Sequence, residues 1–271
     1  MRLTERVNYA CKICSILLVL LYTLFIQPVM NIHAYFSARG MPTHLEKLVY
    51  VLPGFLFSYL FYELCRFVLM PRLAFLVSRK ILRENEDFEQ KVHRLGNLLY
   101  SLLYYIIAFV VTYVITGQSD YKPRVFGGSM DLLQLVRQYP HPIPEPILVF
   151  YMMHLGHHIE RLAVEVRDKR DQKTFSIMIF HHLLAITLVF GSFVLQVPKL
   201  GLPVMMLYDV TDIMLAVTRL FREMIEPFKA ASRLLGFLLI GCWIYFRIYI
   251  NIKEMLYPFF VILLKETPLW R

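Results

Sequence analysis

A chain of 271 residues that is 58% hydrophobic, with a mean hydropathy of +0.53, is too apolar for a soluble domain of that size and reads as a polytopic membrane protein. Its net charge of +9 would suggest a nucleic-acid partner only if the basic residues formed a patch on a soluble face; they sit between apolar stretches, so no nucleic acid is expected. The four cysteines, Cys11, Cys14, Cys65 and Cys242, include one CxxC without a second pair, which argues against a zinc site and leaves them as ordinary residues near or within spans.

Runs apolar enough to cross a bilayer need about 20 residues. In chain order they fall at 13–31, 48–70, 96–116, 145–165, 175–197, 200–221 and 232–252, which predicts an all-α protein of about seven transmembrane helices. The first run lacks the small-residue cleavage site of a secretory signal and is read as retained. The mixed-charge segment "RKILRENEDFEQKVHR" (79–94) reads as a solvated cytosolic or interfacial helix, and "YPFFVILL" (257–264) is too short to cross alone. Lys and Arg total 16 in the N-terminus and the segments 71–94, 166–174 and 222–233, against nine in the segments on the other side. That bias places the N-terminus and the long basic loops in the cytosol. Residues 1–90 are expected to hold the N-terminal spans and a basic linker, and 91–271 to form the functional helical domain.

Ionisable groups inside a bilayer are costly and tend to face a cavity or one another. Three concentrations of them stand out. The stretch at 151–162, "YMMHLGHHIERL", carries Tyr151, His154, His157 and His158; "HHLLAIT" carries His181, His182 and Thr187; "MMLYDVTDIML" carries Tyr208, Asp209, Thr211 and Asp212. Helical spacing puts Asp209 and Asp212 on one face, and His154 and His158 on another. Adjacent His181 and His182 diverge by about 100°, so both can border one space without pointing the same way. Two His and two Asp at comparable depth on consecutive spans suggest a polar site; the plainer alternative is that they only hold helices together. "HLGHH" also has the HxxHH spacing of membrane desaturases, hydroxylases and elongases, a third reading. One such box and one HH pair supply few ligands for two irons, so these histidines are read as lining or packing and no metal is expected.

An HH pair opening a span, followed by a span with D-x-x-D, resembles the signature of the TLC-domain family, and more narrowly that of ceramide synthases. "YPHPIPEPILVFYMMHLGHHIERL", "RDKRDQKTFSIMIFHH", "LYDVTDIMLAVTRLF" and "CWIYFRIYI" with Arg247 are similar to the family's segments in the same order. Thr174 and Tyr208 depart from the family's usual Asp and His, and the chain carries one span fewer after Arg247, so the last helix is expected to be short or absent. The resemblance implies a helical barrel around an intramembrane cavity, in the endoplasmic reticulum membrane. It implies transfer of a fatty acyl group from acyl-CoA, as co-substrate rather than cofactor, to the amine of a sphingoid base. His181, His182, Asp209 and Asp212 are then the catalytic candidates, and Tyr151, His154, His158, Thr187, Tyr208 and Arg247 the substrate-binding ones. An imidazole can act as nucleophile or base near neutral pH. The expected scheme has His181 take the acyl group and His182 handle the proton, or the two in exchanged roles, with one Asp orienting a His and the other accepting the amine proton. Partners are acyl-CoA, a sphingoid base and membrane lipid, and a homo- or hetero-oligomer is compatible. A lipid-binding or lipid-sensing protein of the same family, without enzyme activity, is the alternative.

Overall fold

The computed structural model describes residues 44–76, 88–117, 119, 121–132, 143–168, 175–223, 228–258 and 260–261, with a few isolated positions between 27 and 38. The expected first span (13–31), Cys11 and Cys14, most of the 79–94 and 166–174 loops, and the end of the chain lie outside these residues almost entirely. No strand occurs among the described residues, so the protein is all-α there as expected.

A 3-10 turn, Leu45–Tyr50, leads into α1 (Val51–Leu64), which widens to a π turn at Cys65–Leu69 and continues as α2 (Met70–Leu76). Next come α3 (Phe88–Thr116), a short 3-10 turn (Arg124–Phe126), α4 (Glu145–Asp168), α5 (Phe175–Val194), α6 (Pro198–Glu223) and α7 (Phe228–Trp243). The last continues as a π-helical segment, Ile244–Leu256.

Five helices among the described residues are long and apolar enough to cross a membrane: Leu45–Leu73, Val92–Thr116, Phe175–Val194, Pro198–Glu223 and Ala231–Leu256. The run at 145–165, expected to be a further span, is a helix but is not one of the five. Charges explain this, because α4 carries Glu160, Arg161, Glu165 and Arg167 besides its histidines. Most of its length is packed inside, with Ile147, Leu148, Tyr151, Met152, His157 and Glu160 almost fully buried. Its polar groups meet neighbours rather than lipid, which is how a helix this polar can stay inside an apolar bundle.

Ion pairs fix the helix directions. Lys47 bonds Glu145 at 2.6 Å, joining the starts of α1 and α4, and Arg167 lies 3.8 Å from Glu63 near their other ends. These two helices therefore run parallel. Arg94 lies 3.8 Å from Glu223, so the start of α3 meets the end of α6 and the pair is antiparallel. One end of the bundle thus gathers residues 44, 117, 145 and 195–197, and the other gathers 88, 168, 175 and 223. The second end is the one where Lys and Arg are concentrated. The connection from α5 to α6 is tight: Gln196 takes a positive φ of 57°, and Leu195, Gln196 and Val197 bond back to α5 carbonyls.

The parallel α1–α4 pair is close because it meets at glycine. A Cβ on Gly54 would overlap the backbone of Met153, and one on Gly156 would overlap the carbonyl of Val51. Small residues let membrane helices approach to backbone contact. Gly156→Val is therefore expected to drive α4 away from α1 and cost on the order of 2–4 kcal/mol, with overpacking as the cause. Thermal unfolding of the purified protein, followed by size-exclusion profile, checks this; Gly236→Val, where a Cβ meets nothing within 4 Å, should change little.

The outer surface is apolar in stripes. On α5, Ile177, Phe180, Leu184 and Leu188 recur at helical spacing and are all exposed. With no water to satisfy, such a stripe suits lipid contact.

Candidate functional site

The site grows from α6. Tyr208, Thr211 and Asp212 stand three and four residues apart, so they form one ridge. Across from it, Arg247 and Asn251 form a second ridge on the π-helical segment. Widening of a helix to i→i+5 bonding re-aims side chains and recurs at functional sites. Arg247 Nε donates to Thr211 Oγ1 at 2.6 Å, while Nη2 donates to Asp212 Oδ1 at 2.5 Å and to the Tyr208 carbonyl at 3.4 Å. Its guanidinium also covers the Tyr208 ring, 4.5 Å from the centroid. Asn251 Nδ2 donates to the Tyr208 hydroxyl at 3.1 Å. Arg247 is thus used in full: planar, permanently charged, and bonded on several sides. In a bilayer interior this pairing gives the Asp212 carboxylate a fixed counter-charge.

Asp209, one face round from Asp212, is buried, and its Oδ2 has no hydrogen-bond partner among the described residues. Asp209 precedes Asp212 by three residues on α6, and α6 packs along α3, which carries Tyr104.

The histidine pair divides as the 100° rule requires. His182 turns inward and is buried, and His181 is exposed at the surface of the bundle; their ring centroids are 5.3 Å apart. The helix that carries the pair, α5, packs against both α4 and α6. From the basic end, His181 lies about 9 Å along its helix and Asp212 about 16 Å along its own, at 1.5 Å per residue.

A second polar group backs the first. His154 Nε2 and His158 Nε2 are 3.1 Å apart, and His154 Nδ1 is 3.1 Å from the Tyr104 hydroxyl. His157 Nδ1 meets Ser58 Oγ at 2.8 Å and Tyr100 Oη at 3.0 Å, and these two hydroxyls are themselves 3.0 Å apart. The His157 ring stacks on Tyr104, centroids 3.5 Å apart. One turn on, Arg161 makes two 2.8 Å bonds to fully buried Glu160 and lies 4.5 Å from the ring centroids of both Tyr62 and Tyr100. The helix that carries this second group, α4, packs closely against α5, which carries His181 and His182.

The structure therefore brings His181, His182, Asp209, Asp212, His158, His154, Tyr208 and Arg247 into one neighbourhood. Two other candidates stand apart from it. Tyr151 is buried toward the opposite end, its hydroxyl 2.5 Å from Ser192 Oγ and close against Gly201. Thr187 is exposed, and its hydroxyl bonds the Leu183 carbonyl of its own helix at 2.8 Å. Thr187→Val is accordingly expected to leave both stability and any activity within about twofold, since it removes a bond internal to the helix on an outward face; steady-state assay of the variant checks this. A cavity of about 540 Å³ is present at the loop end, bordered by Arg124, Asp131, Lys253 and Glu254 among others.

Asn251 is a site residue that sequence reasoning passed over, and Thr211 was named in its polar stretch without being assigned a role. Asn251 carried a signal, its i+4 spacing from Arg247 inside an apolar span. Tyr100 and Tyr104 carried the same i, i+4 signal on α3.

Fold and site together define a multi-pass helical membrane protein with a charged, imidazole-rich group held inside the bundle. A family model described as a TLC domain matches residues 94–268, well over half of the chain, and the protein belongs to that family. Among curated proteins it is similar to the sphingosine N-acyltransferase LAG1 of Saccharomyces cerevisiae (strain YJM789), 26% identical over 122 residues, or 44% of this chain and 29% of that protein. It is also similar to ceramide synthase hyl-1 of Caenorhabditis elegans, 27% identical over 133 residues, 49% of this chain and 34% of that one. The chain thus matches about a third of the length of these curated relatives.

Proposed function

We propose that the protein is an intramembrane N-acyltransferase of the ceramide synthase type, joining the acyl group of a fatty acyl-CoA to the amine of a sphingoid base. One observation carries the reading: an exposed and a buried histidine stand side by side on α5, a helix packed against α6, where Arg247 clamps Asp212. The similarity to ceramide synthases supports the substrate classes.

In this reading His181 is the nucleophile, because it is the member of the pair a lipid-borne acyl chain can reach. Its unprotonated nitrogen attacks the thioester carbonyl, the C–S bond breaks, and the imidazole proton passes to the departing CoA sulfur by way of His182. The amine then attacks the acyl-imidazole; the C–N bond to His181 breaks, an amide forms, and the proton the amine sheds ends on the freed His181 nitrogen, which restores the neutral imidazole. Asp212, steadied by Arg247, stabilises the imidazolium that forms transiently on His181. Both substrates carry apolar tails, and a site at membrane depth, where the surface of the bundle meets lipid, keeps water from the activated acyl group. The basic end of the bundle faces the cytosol in this reading, where acyl-CoA is met, and the membrane is that of the endoplasmic reticulum.

The test is conversion by the purified protein in lipid nanodiscs. Given a fatty acyl-CoA and a sphingoid base, it should yield the N-acyl product, measured by mass spectrometry. Bound but unconverted substrates would instead favour a lipid-binding role.

A further inference from the structure

His158 has one ring nitrogen, Nδ1, that is buried without a hydrogen-bond partner among the described residues, while its other nitrogen is bonded to a second imidazole. An Nε2–Nε2 contact of 3.1 Å holds only one proton, so one ring must donate and the other accept. His154 is in turn bonded through Nδ1 to the Tyr104 hydroxyl. The hydroxyl can donate or accept, so the pair has two neutral arrangements. In one of them His158 donates from Nε2, His154 donates from Nδ1 to the Tyr104 oxygen, and His158 Nδ1 is an open acceptor. A proton added there is shared along the Nε2–H–Nε2 bond, and every other bond in the chain stays made. His157 also has a buried ring nitrogen, Nε2, without a hydrogen-bond partner among the described residues, but its Nδ1 is committed to Ser58 and Tyr100, its ring is stacked on Tyr104, and it makes no bond to a second imidazole over which an added charge could spread.

The amide-forming step needs such an acceptor. A sphingoid amine must shed a proton when it attacks, and nothing in bulk water can take it inside the bundle. Asp212 is already engaged by Arg247. We infer that the His154–His158 pair is the proton store of the reaction: the N–H bond of the attacking amine breaks, the Nδ1–H bond of His158 forms, His154 with Tyr104 spreads and positions the added charge, and the proton is then returned to the His181 nitrogen freed when its C–N bond breaks. This rests on the acyl-transfer reading above and adds to it the route of the amine proton.

The experiment separates the two half-reactions in nanodiscs, using a fatty acyl-CoA alone and then a sphingoid base. His158→Asn keeps an amide at the place of Nδ1 but cannot take up a proton; His154→Gln can still bond Tyr104 and His158. Both should form the acyl adduct as the wild type does, yet show kcat for amide formation lowered roughly 10²-fold, with KM for the base unchanged. Asp209→Asn is the comparator, since Asp209 holds the nearby unpartnered carboxylate oxygen. Wild-type turnover in His158→Asn overturns the inference, as does loss of adduct and turnover together, which marks a structural role. A kcat loss in Asp209→Asn but not in His158→Asn assigns the proton to Asp209 and also overturns it. A wild-type protein with neither adduct nor product removes the acyl-transfer reading, and this role with it.

Discussion

Alanine at His181 or at His182 is expected to abolish acyl transfer, by at least about 10³-fold, while the protein still folds in membranes. The magnitude follows from the loss of a positioned imidazole that acts as nucleophile or proton carrier. Folding should survive because alanine is apolar, favours helix and needs no polar partner. His181 is exposed, so its loss leaves no void; His182 is buried, and its replacement by alanine should cost some stability as well. Comparing size-exclusion profiles and melting curves with turnover separates the two effects. His157→Ala is no inert control, since it strips partners from Ser58 and Tyr100 and leaves a gap beside Tyr104. Thr187→Val serves that purpose.

The second large effect is expected at Arg247. Arg247→Ala removes the counter-charge from Asp212 and the donor from Thr211 and the Tyr208 carbonyl. Breaking a buried ion pair from one side costs about 3–5 kcal/mol, because the remaining charge is left uncompensated. Both stability and activity should fall. Arg247→Ala combined with Asp212→Asn should recover much of the stability, as no charge then remains, but not the activity. A double-mutant cycle on melting temperature, with turnover measured in parallel, checks this. Additive losses in the double variant would mean that the pair does not hold α6 to the last helix.

Much of this was legible in the sequence, for physical reasons. Long apolar runs have few fates besides bilayer spans, and HH with D-x-x-D inside such runs is costly enough to demand partners. Arg247 entered only through the family resemblance, although a permanent charge within an apolar span is as costly as the others. The depth of His181 and Asp212 followed from counting residues along helices. What periodicity could not reveal was which way each side chain turns. Thr187 shares a helix with the histidines but lies on its outer face, and only the packing of α5 decides that. Nor could the sequence alone show that α4 would be the most enclosed helix. Its hydropathy reads as a span diluted by charge, and its role follows from partners far along the chain: Ser58 on α1, and Tyr100 and Tyr104 on α3. The π-helical segment around Arg247 has no compositional mark either; a wider helix arises from local bonding that a hydrophobic pattern does not record.

The most direct measurement is the mass of the protein itself. Purified wild-type protein is incubated with a fatty acyl-CoA in the absence of amine, quenched in acid, weighed intact and then mapped by peptide. The account predicts a mass increase equal to one acyl group, carried on the peptide that contains His181 and His182, absent in His181→Ala and discharged when a sphingoid base is added before the quench. An unmodified protein that nonetheless makes the N-acyl product, or an acyl group carried on any other residue, would contradict it.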